Sequence, residues 1–250
     1  MTLAVTAHRL PGVRVEIFHA ISPAVPPEAT ARVHAHATLE GWTLHIIDAE
    51  EFSDDAYLNN PVNRCFHCKN HLYGTIAPRT DAVIVSGTNT DDLDDFRPGL
   101  KAAQRYGVRH PYVDAGFDKR AVRSLARALE LTDLAELPSA PCLSSRIETG
   151  LAIQPHVLAL VHDVERELTQ RLAPQVVRCR VRAGRIVVEL DESTLHSLAP
   201  AQREDVRAWT VDRWRADGHD YPVELRPYLP GSAFLRGPDR IGPFDPTASD

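Results

Sequence analysis

Short apolar segments alternate with longer helical patterns between Val13 and Leu134, and this alternation constrains the fold more than any other feature of the sequence. It predicts strands at residues 13–20, 43–48 and 81–86, and helices at residues 26–40, 99–106 and 119–131, the last capped by Asp118. The third strand is apolar throughout its centre, which is typical of a strand buried on both faces. Because helices separate the strands, we expect an α/β domain with a doubly wound parallel sheet.

After Gly150 the pattern changes, which predicts a second domain. A helix is expected at residues 154–172 and another at 201–216. Two strands, at residues 176–182 and 185–190, are separated only by Ala183 and Gly184 and form a candidate hairpin, and a further strand lies near residues 222–225. We therefore expect a nucleotide-binding domain over residues 1–150, a smaller α+β domain over residues 151–235 for substrate binding or oligomerisation, and a flexible tail at residues 236–250.

Composition excludes several classes of protein. The formal net charge of −6 is not segregated into a basic region, so nucleic acid is an improbable partner. No apolar run approaches the ~18 residues that a membrane helix needs, and no secretory signal precedes the first domain, so we expect a cytoplasmic protein without membrane contact. Homo-oligomerisation is compatible with this composition. Four cysteines are too few for a disulfide scaffold, and a close pair of them suggests metal or redox chemistry.

That close pair is Cys65 and Cys68, in the segment NRCFHCK, which carries little strand or helix signal. By itself the pair is compatible with half a zinc site, a redox pair or two unrelated thiols. Cys142, in APCLSSR, follows the last predicted helix of the first domain. Three thiolates can bind an iron–sulfur cluster and leave one iron without a protein ligand. Cys179, in a predicted strand, is expected to be a small buried hydrophobic residue instead.

The segment SGTNTDDLDDFRPG directly follows the third predicted strand. Ligands of open α/β sheets bind beyond the carboxyl ends of the strands, where a glycine permits close backbone approach. A solvated acidic loop is the alternative for the aspartates alone. With Gly87, Thr88 and Asn89 at the strand end, a nucleotide site is favoured, and the candidate binding residues are Gly87, Thr88, Asn89, Asp92 and Arg97.

Arginines near the second domain are candidates to hold a phosphate or a carboxylate through forked hydrogen bonds. Arg180 and Arg182 share one face of a predicted strand and could form one anion clamp, the alternative being a solvated strand face. Ser145 and Arg146 precede the first helix of that domain. Glu165 on the helix is a candidate contact to metal or substrate, although an exposed glutamate is the commoner case.

Taken together, residues 63–69 (NRCFHCK), 87–99 (GTNTDDLDDFRPG), 118–131 and 142–146 (CLSSR) resemble the LarE-type sulfur transferases of the PP-loop ATP-pyrophosphatase superfamily. The resemblance covers roughly residues 1–235. It implies an adenine nucleotide alpha hydrolase-like domain that binds Mg-ATP, followed by a smaller domain. The three-cysteine pattern of some members matches Cys65, Cys68 and Cys142, which implies a 4Fe-4S cluster at those thiols.

The same resemblance implies a reaction. ATP adenylates a carboxylate of a pyridinium dicarboxylate mononucleotide, pyrophosphate leaves, and a sulfur nucleophile displaces AMP to give a thiocarboxylate. Members of the family serve the synthesis of the nickel-pincer nucleotide cofactor of lactate racemase. A tRNA-thiolating or amide-forming PP-loop enzyme, and a non-catalytic nucleotide-binding protein, are the alternatives.

Two departures from the family pattern bear on this expectation. The SGGxDS-type loop that gives the superfamily its name is absent, and MTLAVTAHRL resembles the helix that follows it. Loss of a central strand would leave unpaired backbone groups that cost about 1–3 kcal/mol each, so we expect a truncated reading frame. Near the other end, ELRPY replaces a DLEGY-like stretch, which bears on the substrate contacts expected there.

Overall fold

The structure is a computed structural model that describes residues 1–94, 96–138 and 141–235. Up to residue 138 the helices and strands are α1 (Thr2–His8), β1 (Glu16–Ala20), α2 (Pro27–Glu40), β2 (Thr43–Ile47), α3 (Asp55–Leu58), α4 (Arg64–Ile76), α5 (Gly99–Arg105), α6 (Pro111–Asp114), α7 (Lys119–Ala128) and α8 (Thr132–Ala135). From residue 141 they are α9 (Pro155–Leu172), β3 (Val177–Arg182), β4 (Arg185–Leu190), α10 (Glu192–Ser197), α11 (Pro200–Ala216) and β5 (Val223–Pro227).

The described chain divides into two compact units. The first unit contains Met1–Tyr57 and the described residues from 63 to 138, and the second contains Leu58–Val62 and residues 141–235. The short segment Leu58–Val62 therefore belongs to the second unit although the first surrounds it in sequence. The flexible tail expected at residues 236–250 lies outside the described residues.

The first unit contains a parallel β–α–β arrangement. β1 pairs with β2 in parallel, from Glu16 opposite Thr43 to Ala20 opposite Ile47, and α2 connects them. Parallel strands need such a crossover, so the α/β class predicted from the alternation is confirmed at this level. The sheet that contains them has two strands within the described residues, and the more specific doubly wound order stays a prediction.

The third predicted strand, at residues 81–86, was wrong. Within this segment the ladder is reduced to one parallel bridge between Val85 and Arg109, and Val83 and Val85 are 68% and 45% exposed. An apolar segment becomes a strand only where neighbouring backbone supplies hydrogen bonds along its length. Here the Arg109 N–H donates to the Ile84 carbonyl and the Ser86 N–H donates to the Arg109 carbonyl, and the ladder extends no further.

Helix packing supplies the buried core of the first unit. One cluster joins α1, α7 and α8 around Trp42, through Val5, Ala126, Leu131 and Ala135. A second cluster joins α4 to α5 through Tyr73, Ala102, Ala103 and Val108. The predicted cap of α7 is confirmed, because the Asp118 carboxylate accepts a hydrogen bond of 2.6 Å from the Ala121 N–H.

The second unit packs helices against a three-stranded mixed sheet of order β3-β4-β5. β3 and β4 form the predicted hairpin, and its turn contains Gly184 at φ 70°, a conformation that L side chains disfavour. β5 is parallel to β4. α9 buries one face, formed by Val157, Leu158, Leu160, Val161, Val164 and Leu168, as its spacing predicts. Among the described residues, no helix combines the length and apolar character that spanning a membrane requires.

Candidate functional site

Cys65 and Cys68 lie on α4, three positions apart and therefore on one side of the helix. Both thiols are half-buried. The sequence indicated little secondary structure here, yet a 13-residue helix forms, with Asn63 in the N-cap position. The first turn of a helix favours negatively charged groups, so its start is a suitable place for thiolate ligands.

Gly99, at the start of α5, lies against this helix. A Cβ added at Gly99 would be 3.0 Å from Cγ of Lys69 and 3.4 Å from the carbonyl oxygen of Cys65. The absence of a side chain therefore allows α5 to begin directly beside Cys65. This contact links the Arg-Pro-Gly segment to the cysteine pair within the first unit.

Asp54, just before α3, and His71, on α4, form a polar pair that no sequence motif indicated. Oδ2 of Asp54 is 2.9 Å from Nε2 of His71 and 3.9 Å from Nδ1 of His67. Burial raises the pKa of Asp54, but hydrogen bonds with His71 and the Ala56 N–H outweigh it, so the pKa lies below its usual value. A charged carboxylate therefore stands beside the helix that carries the cysteines. The only sequence signal was the spacing of His71, three residues after Cys68.

Cys142 belongs to the second unit, where it precedes a short 3₁₀ turn, Leu143–Arg146, and is half-buried. Nη1 of the buried Arg146 donates to the carbonyl oxygens of Pro141 and Cys142 at 2.6 and 3.1 Å. It also donates to Oγ of Ser145 at 3.1 Å. Arg146 therefore stabilises the backbone conformation around Cys142.

Glu165 on α9 completes this arrangement. Its two carboxylate oxygens accept from Nε and Nη2 of Arg146, both at 3.0 Å, in a buried two-pronged ion pair. Oε1 also accepts the backbone N–H of Cys179, at 2.9 Å, on the edge of the sheet. Glu165 is thus a buried, paired carboxylate, and the expectation of an exposed helix glutamate was wrong.

Arg180 and Arg182 reach the same carboxylate, as expected of residues on one strand face. Nε of Arg180 is 3.0 Å from one oxygen of Glu189, and Nη2 of Arg182 is 4.0 Å from the other. Arg180 is 3% exposed and also donates to the Ser145 carbonyl at 3.0 Å. Arg182 donates to Glu148 at 3.2 Å. The alternative of a solvated strand face was therefore wrong for Arg180.

Together these groups form an arginine cluster, made up of Arg146, Arg178, Arg180 and Arg182 with Glu148, Glu165 and Glu189. Burial, followed by repulsion from Arg146, lowers the pKa of Arg178 from its usual value. The guanidinium groups of Arg146, Arg180 and Arg182 are each paired with one of these carboxylates. Arg178 was missed as a candidate although it alternates with Arg180 and Arg182 along β3.

Cys179 contrasts with the other three cysteines. It is fully buried, and burial raises the pKa of its thiol well above the usual value. Its interpretation as a buried hydrophobic residue is confirmed.

Residues 86–88, which follow the single bridge at Val85, place small polar groups beside His110 in the first unit. Oγ of Ser86 is 2.8 Å from Nδ1 of His110 and 3.0 Å from Oγ1 of Thr88. Burial lowers the pKa of His110 from its usual value, so its imidazole is predominantly neutral at pH 7. A Cβ added at Gly87 would meet only a Tyr112 carbon, at 4.0 Å. The backbone at Gly87 thus has space beside it.

Other predicted nucleotide-binding residues shape this loop. Oδ1 of Asn89 accepts the Asp91 N–H at 3.1 Å, and Oδ2 of Asp92 accepts the Asn89 N–H at 3.1 Å. Oδ1 of Asp92 is 2.7 Å from Nη2 of Arg97. Both oxygens of Asp92 are therefore engaged within the protein. Asp95, the last of the aspartates, lies outside the described residues.

An open depression lies on the first unit at the bridge between Val85 and Arg109. Its volume is about 540 Å³, and its lining comprises Val83, Val85, Arg109, Pro111, Asp114 and Ala115. This volume lies within the range of small-molecule sites. The partly apolar wall suits a base or a sugar face better than a phosphate.

No protein-family profile matches the chain. The chain is 33% identical to the uncharacterized Synechocystis protein slr1717 over 192 residues, which cover 75% of this chain and 71% of that protein. The chain belongs to the family of this Synechocystis protein. It is also 26% identical over 164 residues to the uncharacterized Methanocaldococcus jannaschii protein MJ0830, covering 60% of this chain and 64% of that protein.

A third relative carries a functional name. Over 163 residues the chain is 31% identical to the pyridinium-3,5-bisthiocarboxylic acid mononucleotide synthase of Lactiplantibacillus plantarum. The similarity covers 64% of this chain and 56% of the synthase, so the chain spans little more than half the length of that relative. A homologue of this protein is thus an enzyme, a LarE-type synthase, in agreement with the resemblance seen in the motifs.

Proposed function

We propose that this protein is an ATP-dependent sulfur transferase that inserts sulfur into a carboxylate of a pyridinium dicarboxylate mononucleotide. The observation that carries the proposal is the contrast among the cysteines. The three that match the family pattern, Cys65, Cys68 and Cys142, are half-buried, whereas Cys179 is fully buried. The similarity to the Lactiplantibacillus plantarum synthase supports the same substrate class.

In this proposal Cys65, Cys68 and Cys142 hold a 4Fe-4S cluster. The donor set fits such a group, because thiolates are the usual ligands of iron–sulfur clusters and all three thiols are partly accessible. With three protein ligands, the cluster would supply one open iron position for a hydrosulfide. Arg146 fixes the backbone of Cys142 through two carbonyl contacts, which keeps that thiol in one place.

The arginine cluster is the proposed recognition site for the substrate's negative charges. A mononucleotide with two carboxylates is strongly anionic, and guanidinium groups bind carboxylate and phosphate through forked hydrogen bonds. Arg180 and Arg182 are each tied to a glutamate, so they position charge without rotating freely. We propose that Ser145, Arg146 and Glu165 orient the side chains of this cluster.

ATP binding is proposed for the first unit, at residues 86–97. Ser86, Thr88 and the neutral His110 offer hydrogen bonds to a base or a sugar, and Gly87 leaves room for close approach. Asn89, Asp92 and Arg97 maintain the loop's conformation. Residues 1–150 would then be the nucleotide-binding part and residues 151–235 the substrate-binding part.

The proposed reaction consists of two substitutions. The substrate carboxylate attacks the α-phosphorus of ATP, so a P–O bond forms and the bond to pyrophosphate breaks. A hydrosulfide then attacks the activated acyl carbon, a C–S bond forms, and AMP leaves with the C–O electron pair. Adenylation is required because carboxylate oxygen is a poor leaving group.

The test is anaerobic reconstitution of the full chain with iron and sulfide, followed by metal and sulfide analysis of purified protein. We expect Cys142→Ala to lose cluster content and sulfur transfer. Cys179→Ala is the matched control, since the buried thiol at position 179 is not a ligand in this proposal, and it should retain both.

Two results would contradict the proposal. A Cys142→Ala protein with full iron, sulfide and transfer would exclude the three-cysteine cluster. If the loaded wild-type chain releases no pyrophosphate from ATP in the presence of the mononucleotide, ATP-dependent activation is excluded and a nucleotide-binding role remains.

A further inference from the structure

His156, Asp217 and His219 come together in the second unit, outside the cysteines and the arginine cluster. One nitrogen of each imidazole and one oxygen of the carboxylate all lie within 4.8 Å of one another. No sequence motif groups them, since the twelve histidines are scattered along the chain. The start of α9 and the end of α11 bring these three side chains together.

The end of α11 places two of the three groups. Asp217 is the C-cap residue, and Gly218 follows at φ 85°, a conformation that favours glycine. The Gly218 N–H donates to the Arg215 carbonyl at 2.9 Å, and the His219 N–H donates to the Trp214 carbonyl at 3.0 Å. These two bonds form a Schellman motif, which determines the backbone positions of Asp217 and His219.

Aromatic packing then restricts the ring of His219. It stacks on Tyr221, with centroids 5.6 Å apart and planes 11° apart, and on His156, at 6.1 Å and 7°. The edge of Trp214 packs against it at 5.7 Å. His156 reaches this stack from the first turn of α9 and is itself exposed, so its side chain has freedom to adjust.

One polar atom at this place has no hydrogen bond. Nε2 of His219 is buried and has no hydrogen-bond partner among the described residues. Oδ2 of Asp217 is the nearby anionic atom, at 3.6 Å, which is too long for a hydrogen bond. A buried nitrogen without a hydrogen-bond partner, beside a carboxylate oxygen, provides two ligand atoms that one cation could bind.

The donor set and spacing fit a borderline divalent metal. Zn²⁺ binds imidazole nitrogen and carboxylate oxygen at about 2.0–2.2 Å, so two ligand atoms of a tetrahedral ion are about 3.4 Å apart. The separation of 3.6 Å between Asp217 and His219 is close to this value, and rotation of the exposed His156 can close the remaining gap. The carbonyl end of α11 also favours positive charge.

We propose that His156, Asp217 and His219 bind one Zn²⁺-class divalent cation, with the fourth tetrahedral position open to water. The ion ties the start of α9 to the end of α11 within the second unit. This site is separate from the cysteines, and it does not depend on the sulfur-transfer proposal.

The test measures Zn²⁺ binding to the full chain by equilibrium dialysis, after alkylation of accessible thiols removes Cys65, Cys68 and Cys142 as competing ligands. We expect one Zn²⁺ per wild-type chain and a thermal unfolding temperature that rises with Zn²⁺. His156→Ala and Asp217→Asn should each weaken binding at least about tenfold and abolish the temperature shift. His196→Ala is the control, because His196 is an exposed histidine of the same unit, in contact with its own helix carbonyl.

His156→Ala changes an exposed side chain, so loss of binding in this variant cannot be attributed to misfolding. The proposal is overturned if the alkylated wild-type chain takes up no Zn²⁺. It is equally overturned if His156→Ala and Asp217→Asn bind Zn²⁺ as tightly as wild type and His196→Ala.

Discussion

At the scale of single residues, the missing side chain of Gly99 lets α5 begin beside the cysteine helix α4. We predict that Gly99→Val separates these helices, because the new Cβ would lie 3.0 Å from Lys69 Cγ and 3.4 Å from the Cys65 carbonyl. Overpacking of this kind costs about 1–3 kcal/mol in the free energy of unfolding, which denaturant titration measures. Gly87→Val is the control, since a Cβ there has space. Equal losses in the two variants would contradict the role of close packing at Gly99.

Asp191 is a second residue whose contribution to the free energy of unfolding can be measured separately, because that contribution depends on pH. It caps α10 by accepting the Thr194 N–H at 2.9 Å, and it accepts the Gln175 and Val176 N–H groups at 2.8 and 3.2 Å. Burial raises its pKa, but hydrogen bonds from Ser193, Thr194 and Val176 outweigh this, so its pKa lies below the usual value. A carboxyl with a depressed folded pKa stabilises the protein above its unfolded pKa of about 3.9 and loses that contribution as pH falls further.

We therefore predict that Asp191→Ala lowers the free energy of unfolding by about 0.5–2 kcal/mol at pH 7. The difference from wild type should narrow as the pH falls below about 4, because the unfolded chain then binds a proton at Asp191 that the folded chain, with its lower pKa, does not bind. Denaturant titrations at pH 7 and pH 3 measure both values. Asp205→Ala, an exposed change on α11, should have little effect at either pH. An equally large loss from Asp191→Ala at both pH values would contradict the linkage.

At the scale of elements, the side chains of β3 alternate between the two faces of the sheet. Val177, Cys179 and Val181 face one side, and the three arginines face the other. On α9, Glu165 and Glu167 differ in the same way. Glu165 is buried against Arg146, whereas Glu167 forms an exposed pair with Arg171 at 2.7 Å. Two glutamates on one helix thus contribute differently to stability, Glu165 through a buried ion pair and Glu167 through an exposed one.

We predict that Glu165→Gln destabilises the protein by about 3–5 kcal/mol, because it leaves the buried guanidinium of Arg146 without its carboxylate. It should also speed the reaction of Cys142 with a thiol reagent, since Arg146 holds the carbonyl of Cys142. Glu167→Gln should change stability by less than about 1 kcal/mol, as is usual for exposed pairs. Unfolding titration and thiol labelling measure the two effects. Indistinguishable behaviour of the two variants would contradict a structural role for the buried pair.

At the scale of the whole molecule, the chain enters the second unit twice. Asn60, fully buried at φ 51°, donates from Nδ2 to the carbonyls of Ile147 and Glu148 at 3.3 and 2.9 Å. Its own carbonyl accepts the Gly150 N–H at 2.9 Å, and the Leu58 carbonyl accepts the Ile153 N–H at 2.8 Å. The segment Leu58–Val62 is thereby built into the second unit.

We predict that Asn60→Ala accelerates amide hydrogen exchange in β4 and α9, because alanine lacks the two hydrogen bonds of the Asn60 side chain and disfavours a positive φ. Exchange in α4, which belongs to the first unit, should change much less. Hydrogen exchange with mass spectrometry resolves these elements. Asn59→Ala is the control, since Asn59 is exposed. Uniform acceleration over both units would contradict a local role for Asn60.

The fold could be predicted in part from local patterns. α2, α9, α11 and the hairpin β3–β4 appear within a residue or two of the predicted bounds, because they rest on periodicity, proline starts and the glycine turn. α4 was not predicted. It lacks the proline start of those helices and contains histidines, cysteines and a glycine, which have low helix propensity, and packing against α5 stabilises it.

The sequence by itself determined where most helices and strands begin and end. It also determined which residues able to bind metals, phosphates or carboxylates lie close to one another along the chain. Caps, turns and periodicity depend on residues within a few positions of one another. Tertiary structure alone decided that residues 81–86 form one bridge rather than a strand, that Arg146 pairs with Glu165, and that His156 meets His219. Burial and charge pairing depend on distant segments that fold onto one another, and no local pattern records which partner each side chain will find.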